Sequence, residues 1–546
     1  MMEDNKSIEE CLSDARALVV VSLEKSREAK VFASRWKLII SKLEQIPLHL
    51  SDLSSHPCFA KSSLCKEQLL AVSETLRETM TLADTCIRAA YDGKLRMQND
   101  LDNLLGKLSL NLKDCGVLIK TGVLGEVALP SSVKTDTSVN AEVREMLARL
   151  QIGNLEAKHR ALDSLVGVMK EEEKTVMSVL GRSNISALVQ LLTATSPQIR
   201  EKTVAIICSL TEAGCCEKWL VTEGVLPPLI RLAESGSAFG KEKATISLQR
   251  LSMSGETSRA IVGHGGVPPL VEICESGDSI SQAAATCALK NVSAVPEVRQ
   301  TLVDEGIIKL MINLLRQGVL LGTKEYAAEC LQNLSASEKI RREVVSEGGV
   351  ESLLEYLDGP LPQESAVAAL RNIVTCVSTE KLVLMGFLPR LVHVLKSGSS
   401  GAQQAAACAI SKVCVSMEMK KMVGEAGCIP LLVKLLEAKT NNVREASAQA
   451  ISILMGYAQN RREVKREEKS VPSLVQLLDP SAQNTAKKFA VGCLLLLSPC
   501  RKCRKMMTSY GAIGYLKKLA DVDVAGAKRL LARLERGRIR NLFMRK

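Results

Sequence analysis

From residue 183 onward the apolar residues of this chain fall in short clusters at i, i+3 and i+4. Each cluster is closed by glycine or proline and reopened a few residues later. Leu226, Leu229 and Ile230 form one such stripe; Ala244, Leu248 and Leu251 form the next, on a longer element rich in small residues. The residue that opens the leucine-rich cluster recurs at Ser183, Gly224, Gly266, Gly306, Gly349, Gly386, Gly427, Lys469 and Gly511, at intervals of 37 to 43 residues. Glu142–Gly153 reads as an earlier, weaker copy. Pro227, Pro268, Pro430 and Pro472 fall in the first turn of the following helix, where a missing N–H costs nothing. Each period predicts a short helix, a tight turn, an amphipathic helix, a second turn at Gly236, Gly277, Gly318, Gly359, Gly398 or Pro480, and a longer helix. A unit of about 41 residues cannot bury its own stripes, so the units must stack.

The first 128 residues lack this period. They carry long helical stretches from Ser7, Ser63 and Arg96, with a Pro/Ser-rich break at "PLHLSDLSSHPC", and predict an antiparallel bundle of three or four helices. Residues 129–140 are polar and turn-rich and read as a linker. The predicted division is a bundle at 1–128, a linker at 129–140 and a repeat array at 141–546, all α.

The period, the "EGxxPxLxxLL" segments and the "ALxNLS" segments together resemble the armadillo repeat over residues 141–546. That likeness implies a right-handed α-solenoid of about nine three-helix units. The segment "KLRMQNDLDNLLGKLSLNLKDCG" resembles the helical N-terminal domain of plant U-box/armadillo ubiquitin ligases and of plant armadillo proteins without a U-box. A U-box needs roughly seventy residues between bundle and array, and about ten are present, so the expectation is a protein without that module.

In armadillo proteins the third helices line a concave groove, and the Asn of "ALxNLS" commonly bonds the backbone of an extended partner. The corresponding column here is Ser209, Arg250, Asn291, Asn333, Asn372, Lys412, Ile453 and Leu496. Spaced amides can clamp a peptide main chain; alternatively they bond nearby turns and fix geometry. Arg250 and Lys412 flank the asparagines, and Lys290 and Arg371 precede two of them; such a groove would suit an acidic or phosphorylated segment, and ordinary solvated surface charge is an equal alternative. Nuclear-import adaptors of this fold place Trp four residues before each Asn. Those positions hold Cys287, Glu329 and Ala368, and the chain has only Trp36 and Trp219, so that role is disfavoured.

Composition narrows the picture further. Apolar residues make up 46% and aromatics 3%, as suits closely packed helices. The eighteen cysteines, several at apolar helix positions (Cys208, Cys287, Cys330, Cys376, Cys408, Cys493), read as reduced small hydrophobes of an intracellular protein. No apolar run is long enough to span a membrane. Fourteen basic and three acidic residues lie from Pro499 to Lys546, so this segment holds nearly all of the chain's +12 charge. Its end, including Arg536, Arg538, Arg540, Arg545 and Lys546, is open to three readings: contact with anionic membrane, a nuclear address, or a solubilising end. The near-neutral array offers no basic track for nucleic acid.

Chemistry is sparse. The five histidines are scattered, and Cys500–Cys503 lacks the second pair that a zinc site needs. "GHGG" at Gly263 lacks the Lys-Ser/Thr of a phosphate loop. The expectation is a non-enzymatic scaffold without cofactor, cytoplasmic or nuclear, that grips a protein partner. An accessory role in a ubiquitin-ligase pathway is the alternative.

Overall fold

A computed structural model describes residues 6–56, 59–91, 93–120, 137–152, 155–360 and 363–543. Every regular element among them is helical. The chain forms two compact units. One comprises Met1–Leu232 with Ser237–Ser247, the other Ala233–Gly236 with Leu248–Lys546.

The first unit opens with five helices: α1 (Ile8–Glu28), α2 (Ala33–Leu43), α3 (Ile46–Ser54), α4 (Ser63–Ile87) and α5 (Lys94–Lys120). Ser7 starts α1 by a capping box: its hydroxyl accepts the Glu10 N–H at 3.1 Å, and the Glu10 carboxylate accepts the Ser7 N–H at 2.8 Å. The long helical stretch from Ser7 is broken into α1 and α2, and most of the Pro/Ser-rich segment read as a break is itself helical as α3, which Pro47 enters in its first turn. Phe32 takes a left-handed conformation (φ 61°) between α1 and α2, and its ring meets Tyr91 edge-on at 5.7 Å. The break folds α2 back, so that Trp36, Ile39 and Leu43 join Leu69, Leu76, Leu101 and Leu104 in one core. Each such side chain contributes about 1.5–3 kcal/mol by leaving water. α1 lies along α4, where the Ser22 hydroxyl donates to the Leu76 carbonyl at 3.2 Å inside the interface.

The predicted linker at 129–140 falls largely on residues outside the described ones. The next helix, α6 (Thr137–Ile152), packs against α5, and Ala148 enters the bundle core. Arg149 of α6 reaches Glu67 and Ser63 on α4 at 3.2 and 3.0 Å. The α7 helix (Leu155–Glu171) packs on α6 in turn, so bundle and first array helices are continuous within this unit.

The second unit is built of helix triplets. One runs Glu338–Ser346, Gly349–Leu357 and Glu364–Ile373; the next runs Thr379–Leu384, Phe387–Ser397 and Ser400–Val413. Third helices stack on third helices: Ser279–Ser293 on Leu321–Ser335, then Glu364–Ile373, Ser400–Val413 and Asn441–Leu454 in order. These helices bury small residues: Ala285, Ala288, Ala327, Ala328, Ala369, Ala406 and Ala409 are fully buried. Ser470–Gln476 follows Lys469 at φ −78° and Arg182–Leu191 follows Gly181 at φ −100°, whereas most turns before a second helix hold a left-handed residue, as Gly306 does at φ 76°. In the double-glycine turns the first glycine, Gly265 or Gly348, takes this conformation rather than the Gly266 or Gly349 of the sequence register. The turn after the second helix needs glycine for space: a Cβ at Gly277 would lie 2.5 Å from the Ile273 carbonyl oxygen.

An arginine of the first helix closes the end of the preceding third helix. Arg299 donates to the Ser293 and Ala294 carbonyls, Arg341 to Ser335 and Ala336, Arg461 to Met455, and Arg504 to Ser498 and Pro499. These carbonyls have no intrahelical partner, and a cation suits the negative end of the helix dipole.

One buried charge makes the first unit sensitive to pH. Asp114 of α5 is 5% exposed, and burial pushes its carboxyl up to about 6 against the pull of Lys113 and Lys158. Because the folded value lies above the ordinary one, its stabilising effect is complete below about pH 4 and is lost as pH rises through 6. Asp114→Asn is therefore expected to flatten stability between pH 4 and 6 and to raise it at pH 7 by about 1–3 kcal/mol. Urea unfolding followed by the fluorescence of buried Trp36 measures both.

Candidate functional site

The asparagine column forms a ladder between successive third helices. The Asn291 Nδ2 donates to the Gln249 carbonyl at 3.2 Å and the Ser252 hydroxyl at 2.9 Å. The Asn333 Nδ2 donates to the Lys290 carbonyl (3.2 Å) and Ser293 hydroxyl (3.1 Å), and Asn372 to the Gln332 carbonyl (3.4 Å) and Ser335 hydroxyl (3.2 Å). One register repeats three times: each amide ties its helix to the C-terminal end of the one before. The serine of "NLS" belongs to the same device, because it receives the next unit's amide. Sequence reading missed that serine, although its fixed place two residues after Asn was the signal.

This geometry divides the two ends of each amide. The donors are committed to the preceding unit. The Oδ1 atoms of Asn291 and Asn333 have no hydrogen-bond partner among the described residues and remain as acceptors. The Asn372 Oδ1 accepts from the Arg371 guanidinium at 3.3 Å.

The flanking cations do not act as one group. Arg250, half-buried, ends Ala238–Leu251 and has interactions of its own. Lys290 is neutralised: its ammonium lies 3.4 Å from Glu329, a position where import adaptors hold Trp, and 5.4 Å from the centre of the Tyr326 ring. Arg371 and Lys412 differ, since neither pairs with a carboxylate among the described residues. They come together, from neighbouring third helices, in a shallow depression of about 330 Å³ lined by Arg371, Asn372, Cys408, Ser411, Lys412 and Gln449. Desolvation, then the Arg371 and Arg341 charges, pulls the Lys412 ammonium below its usual range. Glu445 on the next helix turns instead to Thr485 and Lys488. The depression thus holds crowded positive charge with no carboxylate among its lining residues, an arrangement that an incoming anion relieves.

Of the two tryptophans, Trp36 belongs to the bundle core and Trp219 is 45% exposed on the short helix Glu217–Thr222, so neither stands among the third helices. In the basic tail Arg536 is exposed on the terminal helix Ala527–Phe543; the Arg538 and Arg540 side chains, and Arg545 and Lys546 altogether, lie outside the described residues. Of the cysteines placed at apolar positions, Cys208, Cys287, Cys330 and Cys493 are buried and Cys408 partly so; Cys376 is exposed, where a short 3₁₀ turn follows Glu364–Ile373. Among the described residues no helix is long and apolar enough to cross a membrane.

Comparison with known proteins fits the helix triplets. A family model described as the armadillo/beta-catenin-like repeat matches residues 256–294 and 416–456, each a first helix followed by a second and third. The chain carries armadillo repeats. A second family model, described as a domain of unknown function (DUF7032), matches residues 13–123, the stretch of α1 to α5. The U-box domain-containing protein 8 of Arabidopsis thaliana is 30% identical over 179 residues, which is 32% of this chain and 46% of that relative. The chain thus spans about half the length of the curated relative it matches, and it resembles plant U-box/armadillo proteins. An engineered protein known from a crystal structure superposes with a TM-score of 0.62 at 24% identity, over 72% of this chain and 98% of that one; this likeness shows the fold. An armadillo array supports a protein-interaction scaffold, and solenoids of this kind typically carry no catalysis.

Since it is the amide N–H that each rung uses, Asn333→Ala and Asn333→Asp are both expected to destabilise the array by about 1–2 kcal/mol. Asp keeps the acceptor and loses both donors. A lower urea midpoint for both, followed by far-UV circular dichroism, is the expected result; an unchanged midpoint for Asp would show that the donor is dispensable.

Proposed function

We propose that this chain is a non-enzymatic adaptor. Its third helices hold an extended acidic or phosphorylated segment of a protein partner, and the segment's anionic group sits at Arg371, Asn372 and Lys412. The observation that carries this reading is the pair of cations left without a carboxylate in the depression between Glu364–Ile373 and Ser400–Val413. An anion placed there gains charge-assisted bonds and offsets the mutual repulsion of Arg371, Lys412 and Arg341. On this reading the free Oδ1 atoms of Asn291 and Asn333 accept backbone N–H groups farther along the same segment. Arg250 and Lys290 then shape the edge of the face and do not bind charge, because each is already engaged. Without Trp among the third helices there are no slots for lysine stems, so a nuclear-import role is not favoured.

The division into a bundle (1–128), a linker (129–140) and an array (141–546) forms part of the proposal, with the bundle as a second docking surface or as the cap of the first repeats. So does an intracellular location, cytoplasmic or nuclear, with the basic tail available to an anionic membrane surface. The likeness to a U-box protein favours one second reading, that the adaptor serves a ubiquitin-ligase pathway as an accessory or substrate-recognition component.

The test uses the full chain and a degenerate library of acidic and phosphoserine-containing peptides, read by fluorescence anisotropy. Arg371→Glu with Lys412→Glu is expected to weaken the selected peptides at least about tenfold, to reduce the salt dependence of binding, and to leave the urea midpoint near that of the parent. Equal affinity in parent and double variant would end the proposal. Incubation with ubiquitin and its activating and conjugating enzymes is expected to yield no chains from the pure protein.

A further inference from the structure

Cys500 and Cys503 are the one Cys-x-x-Cys pair that the binding face does not use. Cys500 is the N-cap of Arg501–Ser509 and Cys503 stands three residues on, so both sulfurs belong to the first turn of one nine-residue helix. They differ in access. Cys500 is partly exposed and Cys503 only 4% so. Lys465 of Ala458–Arg466 brings positive charge to the outer thiol, and the basic Arg501 and Lys502 follow it in sequence. No cluster of three or more His, Cys, Asp or Glu able to hold a metal exists among the described residues, so the pair has no further ligands of that kind.

We infer that Cys500 and Cys503 form a reversible oxidation site, with Cys500 as the peroxide-reactive thiol and Cys503 as the thiol that resolves it. A partly exposed cysteine at the start of a helix, beside cations and a second thiol, has the surroundings of a reactive sulfur. The titration of the two groups agrees. The Cys503 backbone amide, then the Cys503 side chain, the Lys502 amide and Lys465 hold Cys500 below the usual thiol range against desolvation, while burial pushes Cys503 up to about 11. The other thiols whose acidity is shifted move upward, as burial dictates; Cys274, Cys330 and Cys493 reach about 12. Cys215 and Cys216 offer no equivalent. Their sulfurs lie 3.6 Å apart, but a bond between adjacent residues must strain the peptide that joins them, and Cys216 is pushed up to about 12.

The chemistry balances with hydrogen peroxide as oxidant. The Cys500 thiolate attacks one peroxide oxygen, the O–O bond breaks, and hydroxide leaves and takes a proton to become water. Cys503 then attacks the sulfenic sulfur, the S–O bond breaks, and a second water leaves with the Cys503 proton. Two thiols lose two electrons, peroxide gains them, and a disulfide joins the cap to the first turn. A reducing thiol reverses the step by exchange.

Full-length protein is treated with an equimolar amount of hydrogen peroxide, quenched, alkylated and digested with trypsin. Because Arg501 and Lys502 lie between the two cysteines, cleavage leaves the disulfide as two linked peptides that separate on reduction. The expected result is that this linked pair dominates, with Cys500 oxidised at least about fivefold faster than the exposed Cys215 and Cys376. In Cys503→Ala a dimedone adduct should accumulate on Cys500; in Cys500→Ser, Cys503 should stay reduced. Oxidation of Cys500 no faster than that of Cys215 and Cys376, or absence of the linked pair in the parent protein, overturns the inference without reference to either variant. Peptide binding at Arg371 and Lys412 is a separate readout, so either proposal can fail alone.

Discussion

Close approach of one third helix to the next is the constraint on which the second unit rests. Ser279–Ser293, Leu321–Ser335, Glu364–Ile373, Ser400–Val413 and Asn441–Leu454 stack in order, and each carries fully buried alanines. A small side chain brings backbones near enough for a donor on one helix to reach the carbonyls of the other. The Asn ladder depends on that distance, whereas each arginine closure joins a third helix to the first helix that follows it. A unit removed from its neighbours would expose its stripe and also orphan an amide, a serine hydroxyl and a set of terminal carbonyls, and leaving such groups buried and unsatisfied is costly.

On the proposed reading, the same packing decides which polar groups remain for a partner. An asparagine needed for register cannot also give its N–H to a guest, so the face offers acceptors along Asn291 and Asn333 and positive charge at Arg371 and Lys412. Polar complementarity is thus graded along the stack. Lys290 is cancelled by Glu329, while two and three third helices further on Arg371 and Lys412 have no carboxylate partner among the described residues. A scaffold built from near-identical units can gain a preferred docking point in this way, by failing to neutralise itself at one place.

The bundle follows another logic. Its helices are long and its core is a single cluster around Trp36, Leu69 and Leu104, with α6 completing it through Ala148. The left-handed Phe32 that splits the first helical stretch has no glycine or proline to announce it. Nothing in the 3.6-residue periodicity of "SREAKVFASRW" marks that break, because both sides of it carry an apolar stripe, and only their packing on α4 and α5 decides where the chain turns. Asp114 is similar: its sequence neighbours are polar enough for an exposed helix face, and its burial follows from α5 meeting the rest of the unit.

What the chain determined by itself is the repeat. The interval of 37 to 43 residues, the turn glycines and the alanine-rich third helices are local, periodic signals, and the triplets follow from them because helix periodicity and turn chemistry need no distant partner. The candidate face was legible as a column containing Arg371, Asn372 and Lys412. Its division of labour was not, since Lys290 and Arg371 both simply precede an asparagine in the sequence. Whether a lysine is cancelled, an amide spent or a thiol set at a helix cap depends on atoms contributed by neighbouring units about forty residues away or by the start of a particular helix. Those relations come into being only when the helices are stacked, because hydrogen bonds and charge pairs act over a few ångströms of space and are indifferent to distance along the chain.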